Sequence, residues 1–526
     1  MKVASSEDFA MALARAKELA SSEGPQAACD FLAGCEGEPS LIVHLRAETL
    51  AQLRDDKPSL LQAEADWREL GPESRDIAFQ LACVLQNLIE YQSRQKGRAA
   101  VIEQEAQRLR EARLLFERVG RDEEAEPLLR TQAWVNLGNA FDFMGRDVDA
   151  LSCYGQAIAL TDDFGMALGN YGMALIGIAG FMGGHQGHIL ADAARALDRA
   201  LEDEERVLEI GGASALATFR KERARINGPA PGELPEAEHR APMFEDPHLR
   251  WSYHHGLLLH ISPQCLDAKD RIVDPLHLGT MTVGIDDASQ ARLRQLQDAF
   301  NVVKQDYIAA RYSLWLASEV DSPIRSGAQS LSARGRYVDT LGYARWGVQT
   351  GMALGALNMA TNTLDKIAGL THLYFDTTRT PGTTYFNGMW LARRKKGDPL
   401  SMEPAFRTEL ADTGNRGLLA LCDLSLDVAG NERLTELKKL VGLRNTATHR
   451  FLVAHDMMVG EVEKDGWVER IGWNRLIEAA VRQLVITRAA LLYLARAIAV
   501  RESNREPQGK VMPLPNWDVE EFDGPY

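Results

Sequence analysis

"TQAWVNLGNAFDFMGRDVDALSCYGQAIAL", Thr131 to Leu160, carries its apolar and small residues at helical spacing through two successive segments. Gly138 and Ala150 are small where two antiparallel helices must approach each other. Trp134, Phe141 and Tyr154 are large and fill the gap between this hairpin and its neighbours, with Leu137 and Ala157 completing the pattern. One helical hairpin cannot bury its own apolar face, so several must stack. The stretch therefore predicts a helical array and not an isolated pair.

These seven positions resemble a tetratricopeptide repeat, with Trp134, Leu137, Gly138 and Phe141 on its first helix and Ala150, Tyr154 and Ala157 on its second. "MALGNYGMALIGIAG" restarts the pattern at Tyr171 and Gly172, and "ADAARALDRALEDE" reads as its partner helix after an insertion. Upstream, "DIAFQLACVLQNLIEY" and "REARLLFERVG" form a degenerate pair. The fold class expected is all-α, with helical repeats over residues 1–210. Such arrays usually present a binding surface, so a protein partner or trigger is expected on this domain.

The whole chain has 526 residues, enough for two to four domains. Its 45% hydrophobic and 25% charged content is that of a globular protein. A net charge of −15 argues against a surface coated with nucleic acid but leaves room for one local basic site. The six cysteines are scattered with no C-x-x-C pair, which points to reduced thiols in a cytoplasmic setting. The N-terminal "MKVASSEDFAMALARAKELA" has acids and no apolar core, unlike a signal peptide. "LVITRAALLYLARAIAV" is interrupted by Arg488 and Arg496, so no membrane segment is expected.

Residues 211–286 are rich in Pro, Gly and Glu at first and then read as short extended segments, a linker region. His254, His255, His260, Cys265 and His277 lie there. The spacing His255-x4-His260-x4-Cys265 fits no usual zinc pattern, and Pro263 breaks any helix that would align the ligands. No metal and no cofactor are expected.

Long helical patterns return over 287–503, followed by a tail at 504–526. Five helices are expected: "QARLRQLQDAFNVVKQDYIAARYSLWLASE", "YARWGVQTGMALGALNMATNTLDKIAGLTHLYF", "EPAFRTELADTGNRGLLALCDLSL", "NERLTELKKLVGLRNTATHRFLVAHD" capped by Asn431, and "NRLIEAAVRQLVITRAALLYLARAIAV". They form an antiparallel bundle. A loop between the second and third carries four consecutive cations, Arg393, Arg394, Lys395 and Lys396, expected to hold substrate phosphates.

On the fourth helix the rows Leu440, Arg444, Thr448 and Val441, Asn445, His449 each advance by four residues, so the motif continues the core-facing stripe with polar groups. A buried arginine without a partner is very costly, so the motif must meet a polar partner, a cleft or a second chain. Asp365 and His372, seven apart on one face of the second helix, are candidates to support it, Asp365 pairing with Arg444 or His449. The alternative for Asp365 is a surface ion pair with Lys366 or another neighbour.

Arg444, Asn445 and His449 at R-N-x-x-x-H spacing in a helical bundle resemble the signature of the HEPN superfamily of metal-independent ribonucleases. "VVKQDYIAARYSLWL", "TLDKIAGLTHLYF" and "WSYHHGLLLHISPQCLDAKDRIVDPL" resemble a bacterial HEPN subfamily that follows helical repeats. The resemblance implies an endoribonuclease acting in bacterial antiviral defence or as a toxin, cleaving RNA to a 2′,3′-cyclic phosphate and a 5′-hydroxyl. It also implies a homodimer through the C-terminal bundle. The residues suit the chemistry on their own terms. RNA carries its nucleophile in the 2′-OH. His449 can move a proton near neutral pH, Arg444 can stabilise charge on the phosphate, and Asn445 can orient the imidazole. Each residue turns ~100° on a helix, so Arg444 and His449 diverge by ~140°, and two motifs across a two-fold axis aim both groups at one phosphate more easily than one motif does. The competing expectations are a non-catalytic scaffold that binds RNA, a nucleotide or a protein, and a HEPN protein silenced by a partner nucleotidyltransferase.

Overall fold

A computed structural model describes residues 1–3, 5–182, 186–226, 244–261, 274–284, 286–319, 338, 343–377, 379–392, 401–429, 451–456, 463–465 and 467–505. The chain is all-α apart from short strands, and it divides into two units.

The first unit comprises residues 1–175 and 193–226, rejoined by the chain at Met402. Its helices are α1 (Ser6–Ser22), α2 (Pro25–Ala33), α3 (Pro39–Leu50), α4 (Lys57–Leu70), α5 (Arg75–Lys96), α6 (Arg98–Gln104), α7 (Ala106–Arg121), α8 (Pro127–Phe143), α9 (Asp147–Leu160), α10 (Gly165–Ala179), α11 (Gln186–Ala200) and α12 (Glu204–Arg225), with α10 belonging here up to Leu175 and α11 from Ala193 onward. A small parallel pair, β1 (Lys2–Val3) with β2 (Glu36–Gly37), sits at its start. Prolines open α2, α3 and α8, where the missing N–H is no loss. Ser5 and Asp8 form a reciprocal capping box on α1.

α8 and α9 are the hairpin read from Thr131 to Leu160. Trp134, Leu137, Ala150, Tyr154 and Ala157 are all buried in one core with Trp67 and Phe116. Trp134 donates from Nε1 to the Gly120 carbonyl at 3.0 Å, tying the hairpin to α7. A Cβ on Gly138 would collide with the Tyr154 ring, so this glycine is a requirement of close helix approach. The Tyr154 hydroxyl donates to Asn139 Oδ1 at 2.9 Å, and Asn170 of α10 donates to the same oxygen at 2.9 Å. Helix α12 crosses residue 210 and is interrupted at Gly212, whose φ of 74° only glycine adopts readily.

The second unit contains α13 (Pro247–His254), α14 (Asp287–Ser318), α15 (Val348–Tyr374), α16 (Pro404–Thr413), α17 (Arg416–Ala429) and α18 (Trp473–Ser503). α14, α15, α17 and α18 form the bundle around Phe300, Tyr307, Leu357, Leu364, Leu421, Leu484 and Leu491. α18 is long and apolar enough to cross a membrane by length and composition, yet 72% of its most apolar window is buried within the fold, as a core helix requires. Arg488, which interrupts it, donates to the backbone carbonyls of Leu258 at 2.6 Å and His260 at 3.1 Å.

Two expected helices need correction. The third breaks into α16 and α17 at Gly414, which takes the left-handed conformation (φ 63°) and ends the first piece. Asn415 then caps the second, its Oδ1 accepting from the Leu418 N–H at 3.0 Å. The fourth was expected to run to Asp456, but Phe451–His455 is a strand, β4. It lies in a four-stranded sheet ordered β3 (Ala344–Arg345), β4, β6 (Val468–Gly472), β5 (Glu463–Asp465). β4 is parallel to β6, with Phe451 opposite Val468 and His455 opposite Gly472. The alternation within "FLVAH", where Leu452 and Ala454 are buried and Phe451 is exposed, is the two-residue period of a strand. The rest of that expected helix, including Asn431, lies outside the described residues.

Candidate functional site

Arg444, Asn445 and His449, and the basic run Arg393, Arg394, Lys395 and Lys396, lie outside the described residues. What is described is the chain on either side of each segment.

The motif segment enters from α17 and leaves into β4. α17 packs on α18 closely enough that a Cβ on Gly417 would run into the Ala497 backbone. Along α17, Asp423 and Asp427, four residues apart and so on one face, are buried at 1% and 6% exposure. These buried carboxylates on the helix that feeds the motif segment are a feature that the sequence reading did not single out, although the D-x-x-x-D spacing within an apolar helix was visible. At the other end Phe451, two positions after His449 in the chain, is fixed by its pairing to Val468.

Asp365 and His372 on α15 both face the segment that leads to the basic run. Asp365 Oδ1 accepts from the Phe386 N–H at 2.9 Å, at the start of a single 3-10 turn, Phe386–Gly388. Lys366 pairs with Asp306 of α14. The His372 ring is buried at 2% exposure, stacks on Phe406 (centroids 4.9 Å apart, 30° between planes) and bonds Thr377 Oγ1 through Nδ1 at 2.7 Å. Burial, followed by the positive charge of Arg379, pushes its pKa down to about 4, so the imidazole is neutral at physiological pH. Its ring also lies against the Met389 backbone. The two side chains thus brace the turn at 386–389, four residues before Arg393.

Of the histidines upstream of the bundle, His255 and His260 pack within the fold, whereas His254 and His277 are exposed. His255 lies over Trp251 (centroids 4.5 Å) and its Nδ1 meets the Trp251 carbonyl at 2.8 Å. His277 Nδ1 meets the Pro275 carbonyl at 2.9 Å. His260 is buried, and His254 ends α13. Cys265 is outside the described residues. Among the described residues no group of three or more His, Cys, Asp or Glu side chains could hold a metal ion. Cys29, Cys35, Cys83, Cys153 and Cys422 are free thiols.

Sequence reading also missed the polar tie beneath this segment. Arg311, almost wholly buried on α14, makes a forked ion pair with Asp274 and donates to the Leu257 carbonyl at 3.0 Å, where the Tyr307 hydroxyl also donates at 2.5 Å. Burial alone would raise the Asp274 carboxyl, but Arg311 overrides it and holds the group below its usual range.

Residues 288–501 match the family model described as LA2681-like HEPN, from the first turn of α14 to the last turn of α18. No curated protein matches the chain significantly. Two solved structures of MamA share local similarity: one, the "Crystal structure of MamA protein", at 16% identity, covering 38% of this chain and 94% of its own, with a TM-score of 0.22. The other, "Crystal structure of MamA", has 14% identity, covers 37% of this chain and 96% of its own, and scores 0.18. At those scores neither carries weight for the fold.

Proposed function

Residues 288–501 are a HEPN domain of the LA2681-like kind, and from that premise we propose that the chain is a metal-independent endoribonuclease whose helical repeats receive a partner or trigger. The observation that carries the reading is "RNTATH", Arg444 to His449, complete at R-N-x-x-x-H spacing inside the family-matched segment. His449 moves the proton between the 2′-OH and the leaving oxygen. Arg444 offsets the charge that builds on the phosphate, and its guanidinium keeps that charge at every working pH. Asn445 orients the imidazole of His449. The products are a 2′,3′-cyclic phosphate and a 5′-hydroxyl. A homodimer brings two motifs to one groove, because a single helix turns Arg444 and His449 apart. Arg393 to Lys396 supply the local positive strip that a chain of net charge −15 needs if RNA is to approach. Bacterial defence, or a toxin's role, is the setting that this reading favours.

The test is incubation of the purified full chain with total RNA in EDTA, wild type beside His449→Ala and Arg444→Ala. Cleavage that persists in chelator and is abolished in both variants supports the reading. Cleavage that needs an added divalent ion, or full activity in His449→Ala, overturns it. RNA binding without any cleavage favours a non-catalytic scaffold instead. Light scattering, paired with charged substitutions on the bundle surface, tests the dimer: a monomeric variant cutting at the wild-type rate refutes a shared groove.

A further inference from the structure

Helix α13 turns one stripe of side chains into a cleft. Pro247, Trp251 and His254 recur at four- and three-residue spacing, and Arg250 shares their face. The opposite wall is the end of α14, where Trp315 and Glu319 stand four residues apart. The space between the two walls is about 320 Å³. Trp251 and Trp315 form its floor, each 5% exposed. His255, tied through Nδ1 to the Trp251 carbonyl, completes the aromatic lining. Both walls are fixed from behind. Asp246 caps α13 by accepting from the His248 N–H at 2.7 Å, and the His248 ring packs on Tyr312 and Trp315 of α14. The cleft is therefore built before any guest arrives, which lowers the cost of binding one.

The rim carries unlike charges on opposite walls. Arg250 is exposed on α13, and Glu319 is half-buried at the end of α14. Among the described residues neither side chain makes a hydrogen bond or an ion pair, with the other or with a neighbour. Elsewhere in the same unit such charges do meet: Arg292 pairs with Asp376, Arg311 with Asp274 and Lys366 with Asp306. The end of a 32-residue helix adds the negative pole of its dipole beside Glu319. One wall therefore favours a cation and the other an anion. An apolar cleft with a few convergent polar groups is the usual form of a small-ligand site, and this one lies at the small end of their range of about 300–1,000 Å³. A nucleotide brings negative charge only, so its phosphate suits Arg250 but its charge opposes Glu319. A guest with an ammonium and a carboxylate answers both walls, and the aromatic floor accepts an ammonium and an apolar side chain.

We infer that the cleft between α13 and α14 binds a small zwitterion, a free α-amino acid with an apolar side chain, its carboxylate on Arg250 and its ammonium on Glu319. The side chain lies over Trp251 and Trp315, and His254, one turn from Arg250, stands beside the carboxylate. The inference goes beyond the nuclease reading and does not depend on it, because no residue of the cleft belongs to the motif or to the basic run.

The test is titration calorimetry on the full chain with L-leucine, L-methionine and L-phenylalanine, each beside its N-acetyl derivative and its methyl ester. At least one of the three amino acids binds, and removing either of its charges weakens binding about ten-fold or more. Arg250→Gln and Glu319→Gln each weaken it about ten- to a hundred-fold, the usual worth of a hydrogen bond to a charged group. Both side chains reach solvent and hold no neighbour, so the variants fold, and unchanged circular dichroism checks it. His449→Ala binds the amino acid as wild type does. If none of the three binds at millimolar concentration, the inference is overturned. Ester and N-acetyl derivatives that bind as tightly as the parent, or variants that bind as wild type does, overturn it too, since the charges are then not read. AMP is the remaining arm. If AMP binds through Arg250 and Glu319→Gln strengthens it, the cleft takes a phosphorylated guest and the zwitterion is wrong. RNA cleavage that needs His449, with no amino acid bound, leaves the nuclease reading intact and removes this one.

Discussion

Arg311 and Asp274 form a two-point ion pair inside the second unit, Nη1 to Oδ1 at 2.9 Å and Nη2 to Oδ2 at 2.5 Å, with both side chains largely out of solvent. The same aspartate accepts from the Leu259 N–H at 2.7 Å, and its backbone carbonyl accepts from Lys304 at 2.6 Å. One carboxylate therefore fastens residues 257–259 and 274 onto α14. Removing it leaves Arg311 charged and buried. Asp274→Ala is expected to cost about 3–5 kcal/mol, whereas Asp274→Leu with Arg311→Met recovers much of that, because no charge is then stranded. Urea denaturation of the three proteins checks the order.

In the repeat unit, Gly138→Ala is expected to destabilise by about 1–3 kcal/mol, since the added methyl overlaps the Tyr154 ring and one helix must move. Tyr154→Leu in the same chain makes room and restores part of the loss. Equal stability of Gly138→Ala and wild type in thermal melts would contradict the close approach of α8 and α9.

His372 and His248 share a pH signature. Burial depresses both to about 4, helped at His372 by Arg379 and at His248 by Arg311. An unfolded histidine titrates near ~6.5. Between those values the unfolded chain binds protons that the folded chain refuses, so stability falls as pH drops from about 6.5 toward about 4 and levels off below. His372→Leu, which keeps the packing on Phe406, flattens part of that acid limb. Melting temperatures from pH 7 to pH 4 read it directly; parallel curves for variant and wild type would show that His372 titrates normally.

Replacing Arg393, Arg394, Lys395 and Lys396 together by serine is expected to weaken RNA binding and to reduce the salt slope by about 0.7 for each phosphate that the chain then leaves unneutralised. An unchanged slope removes this run from the RNA path. Asp365→Ala, by freeing the Phe386 N–H that it holds, is expected to shift binding in the same direction through looser presentation of the run. RNA affinity measured from low to physiological salt tests both.

The repeat hairpin was legible because its signal is local. Trp134, Gly138 and Tyr154 specify one another within a window of about thirty residues, and steric fit leaves few other solutions. The helices of the bundle were legible for the same reason. What escaped was non-local or punctuated by single residues. Gly414 and Asn415 are ordinary stop and start signals, overlooked because the apolar period runs across them. "FLVAH" is five apolar or ambivalent residues, too short for periodicity to separate strand from helix. Its partners at 344–345 and 468–472 are themselves short, and no local rule announces their pairing. Asp274 and Arg311 stand 37 positions apart, and no local rule pairs them. Of the candidate site, the sequence marked Asp365 and His372 on α15, but not the sheet that receives the chain after His449 or the carboxylates on α17; the motif itself lies outside the described residues.

The parallel pairing of β4 with β6 also sets an order of events during synthesis. β4 follows the motif at once, yet its partner strand is Val468–Gly472, and α18, against which the bundle closes, comes later still. A nascent chain that has emerged through β4 has neither the strand that pairs with it nor the helix that closes the bundle. The chain up to Asp456 therefore waits for two later pieces, the strand that pairs with β4 and the helix that closes the bundle.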